Sequence, residues 1–318
     1  MQQLLQDKYL VGDNLEILKS MESNFVDMVY MDPPYNTGRN FGEFNDKFCS
    51  MDNYAKAFLL PRVQEIKRIL KKEGNIVVHV EPKISHHVRF VLDGVFGENN
   101  FKNEIVWKSG GNAKNQKQLG RHHDTIIVYG LQKKSIFNPM YIPYDDEYKK
   151  RSSAKQCDKT NRWYVTTAIH NSQPDVNPRM NLRYEWNGYK KQWYVSLDKM
   201  KTLHQQNRLQ YNKKGIPRIK RFLDEMSGIP VKDLWTDINQ IQGNEKLDYP
   251  TQKPVKLLER IVNLYSNSGD IVLDPFAGSG TTARAAINLN RKYIMIDINE
   301  NGKKVFNLAL HKGELNGT

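Results

Sequence analysis

Residues 270–282 read Asp-Ile-Val-Leu-Asp-Pro-Phe-Ala-Gly-Ser-Gly-Thr-Thr, an apolar strand that breaks into a glycine turn and restarts as a helix. Gly278 and Gly280 let the backbone turn sharply and approach a ligand closely. The helix start at Thr281 and Thr282 offers unpaired N–H groups to a phosphate or a carboxylate. The next strand ends at Asp297, 19 residues beyond Gly278, where a carboxylate can accept hydrogen bonds from ribose hydroxyls. Together these residues suggest a site for a nucleoside-containing cofactor. A bare Gly-x-Gly also suits a plain strand-to-helix turn, but the strand, the helix and the spaced acid favour the cofactor. ATP is set aside, because no Gly-Lys-Ser/Thr follows a glycine loop; NAD stays open on these residues alone.

A second cluster, Val-Tyr-Met-Asp-Pro-Pro-Tyr-Asn-Thr-Gly at 29–38, ends an apolar strand at Asp32. Pro33 and Pro34 fix φ and carry no N–H, so carbonyl oxygens here can face a cleft without local competitors. Asp32 adds a carboxylate and Tyr35 a flat ring. A planar base bearing an exocyclic NH₂ suits that set of acceptors beside a stacking surface.

The elements that must position these residues alternate between strands and helices. Apolar runs at 25–31, 76–80, 125–129, 271–273 and 293–296 read as buried parallel strands. Tyr54–Leu70, Pro254–Tyr265 and the alanine-rich Thr281–Leu289 read as helices. Such alternation implies a doubly wound α/β sheet covered on both faces. Residues 1–108 and 241–318 together make one domain of normal size, and 109–240 reads as an insertion projecting from it.

The charge distribution gives the insertion a character. The net charge is +13 over 318 residues, and 101–240 carry the whole excess together with all five tryptophans and nine of the 16 tyrosines. Cations neutralise phosphates and rings stack on bases, so this stretch predicts a polyanion-binding surface. No apolar run reaches the roughly 20 residues of a spanning helix, and the N-terminus lacks a signal-peptide pattern. Two distant cysteines, Cys49 and Cys157, fit a reducing cytosol. His86-His87 and His122-His123 are adjacent pairs expected to point apart, so no metal site is expected.

Asp32-Pro33-Pro34-Tyr35 together with Asp274-Pro275-Phe276-Ala277-Gly278-Ser279-Gly280 resembles the amino-methylating DNA methyltransferases that use S-adenosyl-L-methionine. The order, with the target-amine motif first, the cofactor motif last and a basic segment between, resembles the β-class permutation. Gly12–Leu18 and Tyr249-Pro250-Thr251-Gln252-Lys253-Pro254 match two further motifs. The tail Asn36-Thr37-Gly38 is most similar to adenine enzymes related to type III modification subunits. The resemblance implies a circularly permuted, mixed seven-stranded sheet of the S-adenosylmethionine-dependent methyltransferase type.

It also implies residue roles. Phe276–Gly280, including Gly278, Ser279 and Gly280, with Thr281 and Thr282, would hold the methionine part of the cofactor behind the strand that ends at Asp274. Asp297 would bind the ribose, Asp13 the adenine, and Thr251 and Lys253 the methionine end. Asp32 and the Pro33 carbonyl would accept hydrogen bonds from the target amine, with Pro34 stiffening the loop and Tyr35 stacking on the base. The expected activity is transfer of a methyl group to N6 of an adenine flipped out of duplex DNA. A cytosine-N4 methyltransferase needs the same pocket; an RNA methyltransferase and a non-catalytic DNA-binding subunit are the remaining alternatives. Ring-carbon methylation is excluded, because Phe48 and Gln156, not proline, precede Cys49 and Cys157.

The basic insertion would recognise DNA, with Lys108–Gln118 as a loop able to close over the site. The expected setting is the cytoplasm, from a bacterial or phage gene, without a membrane. Dimerisation is common among similar enzymes, though no isolated apolar helix demands it. A restriction subunit is a partner the resemblance allows, but the chain is shorter than typical type III modification subunits.

Overall fold

A computed structural model describes residues 5–35, 50–110, 119–173, 176, 178–241 and 243–311. The Asn36–Gly38 tail, Cys49 and the greater part of the Lys108–Gln118 loop lie outside the described residues. The chain divides into two compact units, 1–139 with 232–318, and 140–231.

The first unit is built on a sheet of eight strands among the described residues. These are β1 (Lys8–Val11), β2 (Val26–Met31), β3 (Leu70–Val80), β4 (Phe101–Trp107), β5 (Asp124–Gly130), β6 (Leu234–Trp235), β7 (Ile271–Asp274) and β8 (Lys292–Asp297), in the spatial order β1-β8-β7-β2-β3-β5-β4-β6. All six residues of β2 and all four of β7 are buried, as expected for strands covered on both faces. Pairing is parallel from β1 to β3 and antiparallel where β5 meets β3 and β4. The sequence expectation of a parallel strand over 125–129 is therefore corrected. Burial on both faces gives an antiparallel strand the same unbroken apolar run, so hydropathy does not report direction. The short β6 at the edge makes eight strands where the resemblance implied seven.

Polar pins fix the register of these apolar strands. Buried Asp27 on β2 accepts from the Ile271 N–H at 2.9 Å and pairs with Lys71 at 2.8 Å. Buried Asn75 on β3 donates to the Ile136 carbonyl at 2.9 Å. Six helices matter to the site: α1 (Asn14–Ser20), α2 (Leu60–Ile69), α3 (Pro82–Phe96), α4 (Val255–Tyr265), α5 (Thr281–Asn288) and α6 (Glu300–His311). In α4, Val255, Leu258, Ile261, Val262 and Tyr265 recur at helical spacing and are all buried.

The second unit holds a four-stranded antiparallel sheet, ordered 209–211, 217–222, 163–168, 155–156, and a separate hairpin of 183–186 with 189–192. Asn187 and Gly188 close that hairpin at φ +50° and +78°, the Asn-Gly chemistry of a tight two-residue turn. Its cores are Ile169, Trp193, Met200, Leu203 and Leu209, and a smaller group of Cys157, Tyr164 and Phe222. This unit is shorter than the insertion expected over 109–240. The composition turns basic before the chain leaves the central sheet, because β5 is still to come. His86 and His87 also differ from expectation: they sit on α3 with ring centroids 4.0 Å apart, not pointing away from each other. Among the described residues no group of three or more His, Cys, Asp or Glu is arranged to hold a metal, and no helix is long and apolar enough to cross a membrane.

Candidate active site

Strands β7 and β2 are parallel neighbours, with Val272 opposite Met28 and Leu273 opposite Val29. Their carboxyl ends therefore open side by side, although Asp32 and Asp274 are far apart in sequence. This is where open α/β sheets bind ligands. A cavity of about 310 Å³ lies there, a size suited to a small-molecule cofactor.

The glycine turn forms one wall. Gly280 caps α5 at φ +77°, and a Cβ there would lie 2.5 Å from the Phe306 ring. The turn is held from three directions. The Gly278 N–H donates to Asp297 Oδ2 at 2.8 Å, and the Tyr9 hydroxyl donates to the Gly278 carbonyl at 2.6 Å. Asp274 accepts from the Phe276 N–H at 2.9 Å and from the Thr282 hydroxyl at 2.5 Å.

Asp274 is 2% exposed, and burial pushes its carboxyl up to about 7 against the opposing effect of those two hydrogen bonds. The folded chain therefore keeps a proton on Asp274 where the unfolded chain has lost it. Stability should fall as pH rises from the ordinary carboxylate range through 7, because the native state binds more protons across that window. Asp274→Asn should flatten this part of the curve of melting temperature against pH. An unchanged slope would assign the pH dependence to other groups.

A second wall comes from α1 and α2. Asp13 caps α1, its carboxylate accepting from the Leu15 N–H at 2.7 Å. Such a cap is worth about 1 kcal/mol. Arg62 Nε donates to Asn14 Oδ1 at 2.6 Å, and Asn14 Nδ2 donates to the Pro275 carbonyl at 2.6 Å. This chain of bonds ties α2 to α1 and to the loop after β7. Arg62 also lies 4.1 Å from the Phe58 ring centroid and 3.5 Å from Asp13.

The third wall is the end of β2. Tyr35 donates its hydroxyl to Asp32 Oδ1, and Lys253 Nζ donates to Asp32 Oδ2. Lys253 Nζ is also 3.4 Å from the Tyr35 oxygen. Burial, then the neighbouring Asp32 charge, holds the Tyr35 hydroxyl well above its ordinary range, so Tyr35 stays a neutral donor. The Gln252 side chain braces the segment carrying Lys253, donating to the Glu245 carbonyl at 2.8 Å and accepting from the Leu247 N–H at 2.7 Å.

Asp13, Asp32, Pro33, Pro34, Tyr35, Thr251, Lys253, Asp274, Phe276, Gly278, Ser279, Thr281, Thr282 and Asp297 all line this one cavity. Gly280 does not; it packs behind the wall against Phe306. Lys253, expected at the methionine end of a cofactor, is ion-paired with Asp32. Sequence reasoning missed Asn14, Tyr30, Phe58, Arg62 and Tyr249, which line the same cavity. Asn14 could have been found beside Asp13. Arg62 gave no signal, because one arginine in an apolar helical pattern reads as solvent-facing.

The chain belongs to the N6/N4 DNA methylase family, whose model matches residues 26–308. It is 29% identical over 307 residues to the type II methyltransferase M.EcaI of Enterobacter cloacae, covering 92% of this chain and 67% of that protein. It is 27% identical to the DNA adenine methyltransferase YhdJ of Escherichia coli K12, covering 91% and 77% of the two chains. It is 25% identical to the StyLTI Mod subunit of a Salmonella typhimurium type III restriction-modification enzyme, covering 89% of this chain but half of that subunit. Among solved structures, the fold is shared with the cytosine-N4-specific PvuII DNA methyltransferase (TM-score 0.54, 14% identity, 96% and 92% of the chains covered). It is shared as well with M1.HpyAVI, solved as a complex with SAM (TM-score 0.51, 18% identity, 95% and 98% covered).

Proposed function

We propose that this DNA methylase moves the methyl group of S-adenosyl-L-methionine to N6 of an adenine rotated out of duplex DNA. The observation that carries the reading is the single cavity shared by the Asp32–Tyr35 segment and the Phe276–Thr282 turn. Its walls suit an amino-acid nucleoside. Asp13 and Asp297 offer carboxylates, Phe58 and Phe276 offer ring surface, and the N-terminus of α5 offers N–H groups for a carboxylate. When bound, S-adenosylmethionine supplies a methyl group already activated by a positive sulfur.

The remaining work falls to the protein. An exocyclic amine is a poor nucleophile, because its lone pair is delocalised into the ring. Accepting both of its N–H bonds favours a pyramidal nitrogen with the lone pair free. Asp32 and the Pro33 carbonyl are the acceptors, and Tyr35 supplies the stacking surface. Positioning and preorganised charge then supply the acceleration without a covalent intermediate. Both oxygens of Asp32 are engaged, by Tyr35 and by Lys253. The target amine must therefore displace a donor as it binds, and Lys253, on a flexible stem, is the one that can swing away.

The adenine assignment is supported by an aspartate at position 32 and by the relationship to YhdJ. The cytosine amine is the competing acceptor, since the PvuII enzyme shares the fold. The second unit, rich in Lys, Arg, Trp and Tyr, is proposed as the surface that reads DNA. The test is incubation with methyl-labelled S-adenosylmethionine and two acceptors in parallel, unmethylated duplex DNA and a folded RNA. Label should enter the DNA. Label in RNA alone, or in neither, would overturn the reading.

A further inference from the structure

Methylation of a neutral amine liberates one proton, and Asp32, the carboxylate nearest the amine, already accepts from Tyr35 and Lys253 at its two oxygens. In the cavity wall and behind it lie three polar side chains that binding of neither cofactor nor base explains. Tyr30 on β2 lines the cavity and is 2% exposed. Its hydroxyl is 2.9 Å from Nδ1 of His79 on β3. His79 is wholly buried, and its Nε2 is 3.4 Å from Oδ2 of Asp124 on β5. β2, β3 and β5 are adjacent in the sheet, so three neighbouring strands each contribute one member. Tyr30 and Asp32 are two residues apart at the end of β2, hence on the same face.

The direction of the hydrogen bonds follows from charge. Burial works to raise Asp124, but the His79 hydrogen bond, with the Lys253 and Arg121 cations nearby, brings it below the ordinary carboxylate range. An ionised Asp124 accepts only, so Nε2 donates to it, and in the neutral imidazole Nδ1 is then the acceptor. The Tyr30 O–H then donates to Nδ1, which leaves lone pairs on the oxygen of a residue that lines the cavity. The other groups around His79 are few. Trp107 on β4 meets it edge-on at 5.6 Å between ring centroids. Arg121, itself paired with Glu81, stands 4.0 Å from Asp124 Oδ1.

We propose that Tyr30 and His79, oriented by Asp124, take up the proton that the target amine loses. The proposal rests on the methyltransferase reading above. As the N–methyl bond forms, one N–H bond breaks and its electron pair stays on nitrogen. The proton passes to the Tyr30 oxygen while the Tyr30 proton passes to His79 Nδ1. The resulting imidazolium is neutralised by Asp124, and the proton returns by the same path when the site opens to water. Tyr30 is the catalytic member; His79 and Asp124 act through it.

The test is single-turnover methyl transfer to duplex DNA in H₂O and in D₂O, with wild-type protein, His79→Gln and Tyr30→Phe. Glutamine keeps a polar side chain in the space but cannot take up a proton. Wild-type protein should be slower in D₂O, because protons move between Tyr30 and His79 as the methyl group is transferred. Each variant should be slower in H₂O by about a hundredfold, the scale of general-base assistance, and should lack that isotope effect while binding S-adenosylmethionine normally. If His79→Gln fails to fold, Tyr30→Phe, which removes one oxygen, carries the test alone. A folded variant with the wild-type rate, or a slower one that keeps the wild-type isotope effect, overturns the relay. Wild-type protein that transfers no methyl group at all overturns the methyltransferase reading instead.

Discussion

Asp32→Ala should lower methyl transfer at least about a thousandfold, the upper range for removing one preorganised electrostatic partner of a reacting group, while cofactor binding stays largely intact. The expectation follows from where the side chain stands. Asp32 lies at the end of β2, its two oxygens taken by Tyr35 and Lys253, and the Phe276–Thr282 turn lies across the cavity. Removing the carboxylate deletes an acceptor for the amine and leaves the Lys253 ammonium unpaired beside the base. It leaves untouched the bonds that hold the glycine turn, which run through Asp297, Tyr9 and Asp274. Single-turnover transfer and equilibrium binding of the cofactor separate the two effects. Asp32→Ala protein that still turns over would remove Asp32 from the chemistry.

Gly280→Ala should have a comparable effect by a different route, on cofactor binding and stability together. At φ +77° any side chain is strained by about 1–2 kcal/mol. The new methyl would also meet the Phe306 ring at 2.5 Å, an overpacking that costs typically about 1–3 kcal/mol. Phe306 is buried on α6 and cannot simply turn aside, so the turn itself must move, and with it the wall that carries Gly278 and Ser279. A lowered melting temperature and lost S-adenosylmethionine binding are expected. Gly94→Ala is the control: it sits in the interior of α3 with nothing within 4 Å of the added atom, and should gain about 0.5–1 kcal/mol. Equal losses in both variants would mean that the turn has no special role.

The two ends of the cavity were legible because their chemistry is written in contiguous residues. Asp32-Pro33-Pro34-Tyr35 and Asp274–Thr282 each end a strand, and an apolar run followed by such a turn needs no tertiary information. What lies between them was not legible. Arg62 and Phe58 reach the cavity from helical segments whose apolar spacing says only that one face is buried. His79 sits within a valine run and reads as a packing residue until Tyr30 and Asp124 are seen beside it. Lys253 shows the opposite failure. Its motif placed it at the site, but only the geometry pairs it with Asp32. The boundary of the inserted unit was misplaced for a related reason: charge reports surface, and the surface turns basic before β5 returns to the sheet.

The most direct measurement is the identity of the methylated nucleoside. Duplex DNA treated with this protein and isotopically labelled S-adenosylmethionine would be digested and its nucleosides resolved by mass spectrometry. Label on N6 of adenine is the predicted result. Label on N4 of cytosine would contradict the adenine assignment, and label on neither would contradict the account of the site.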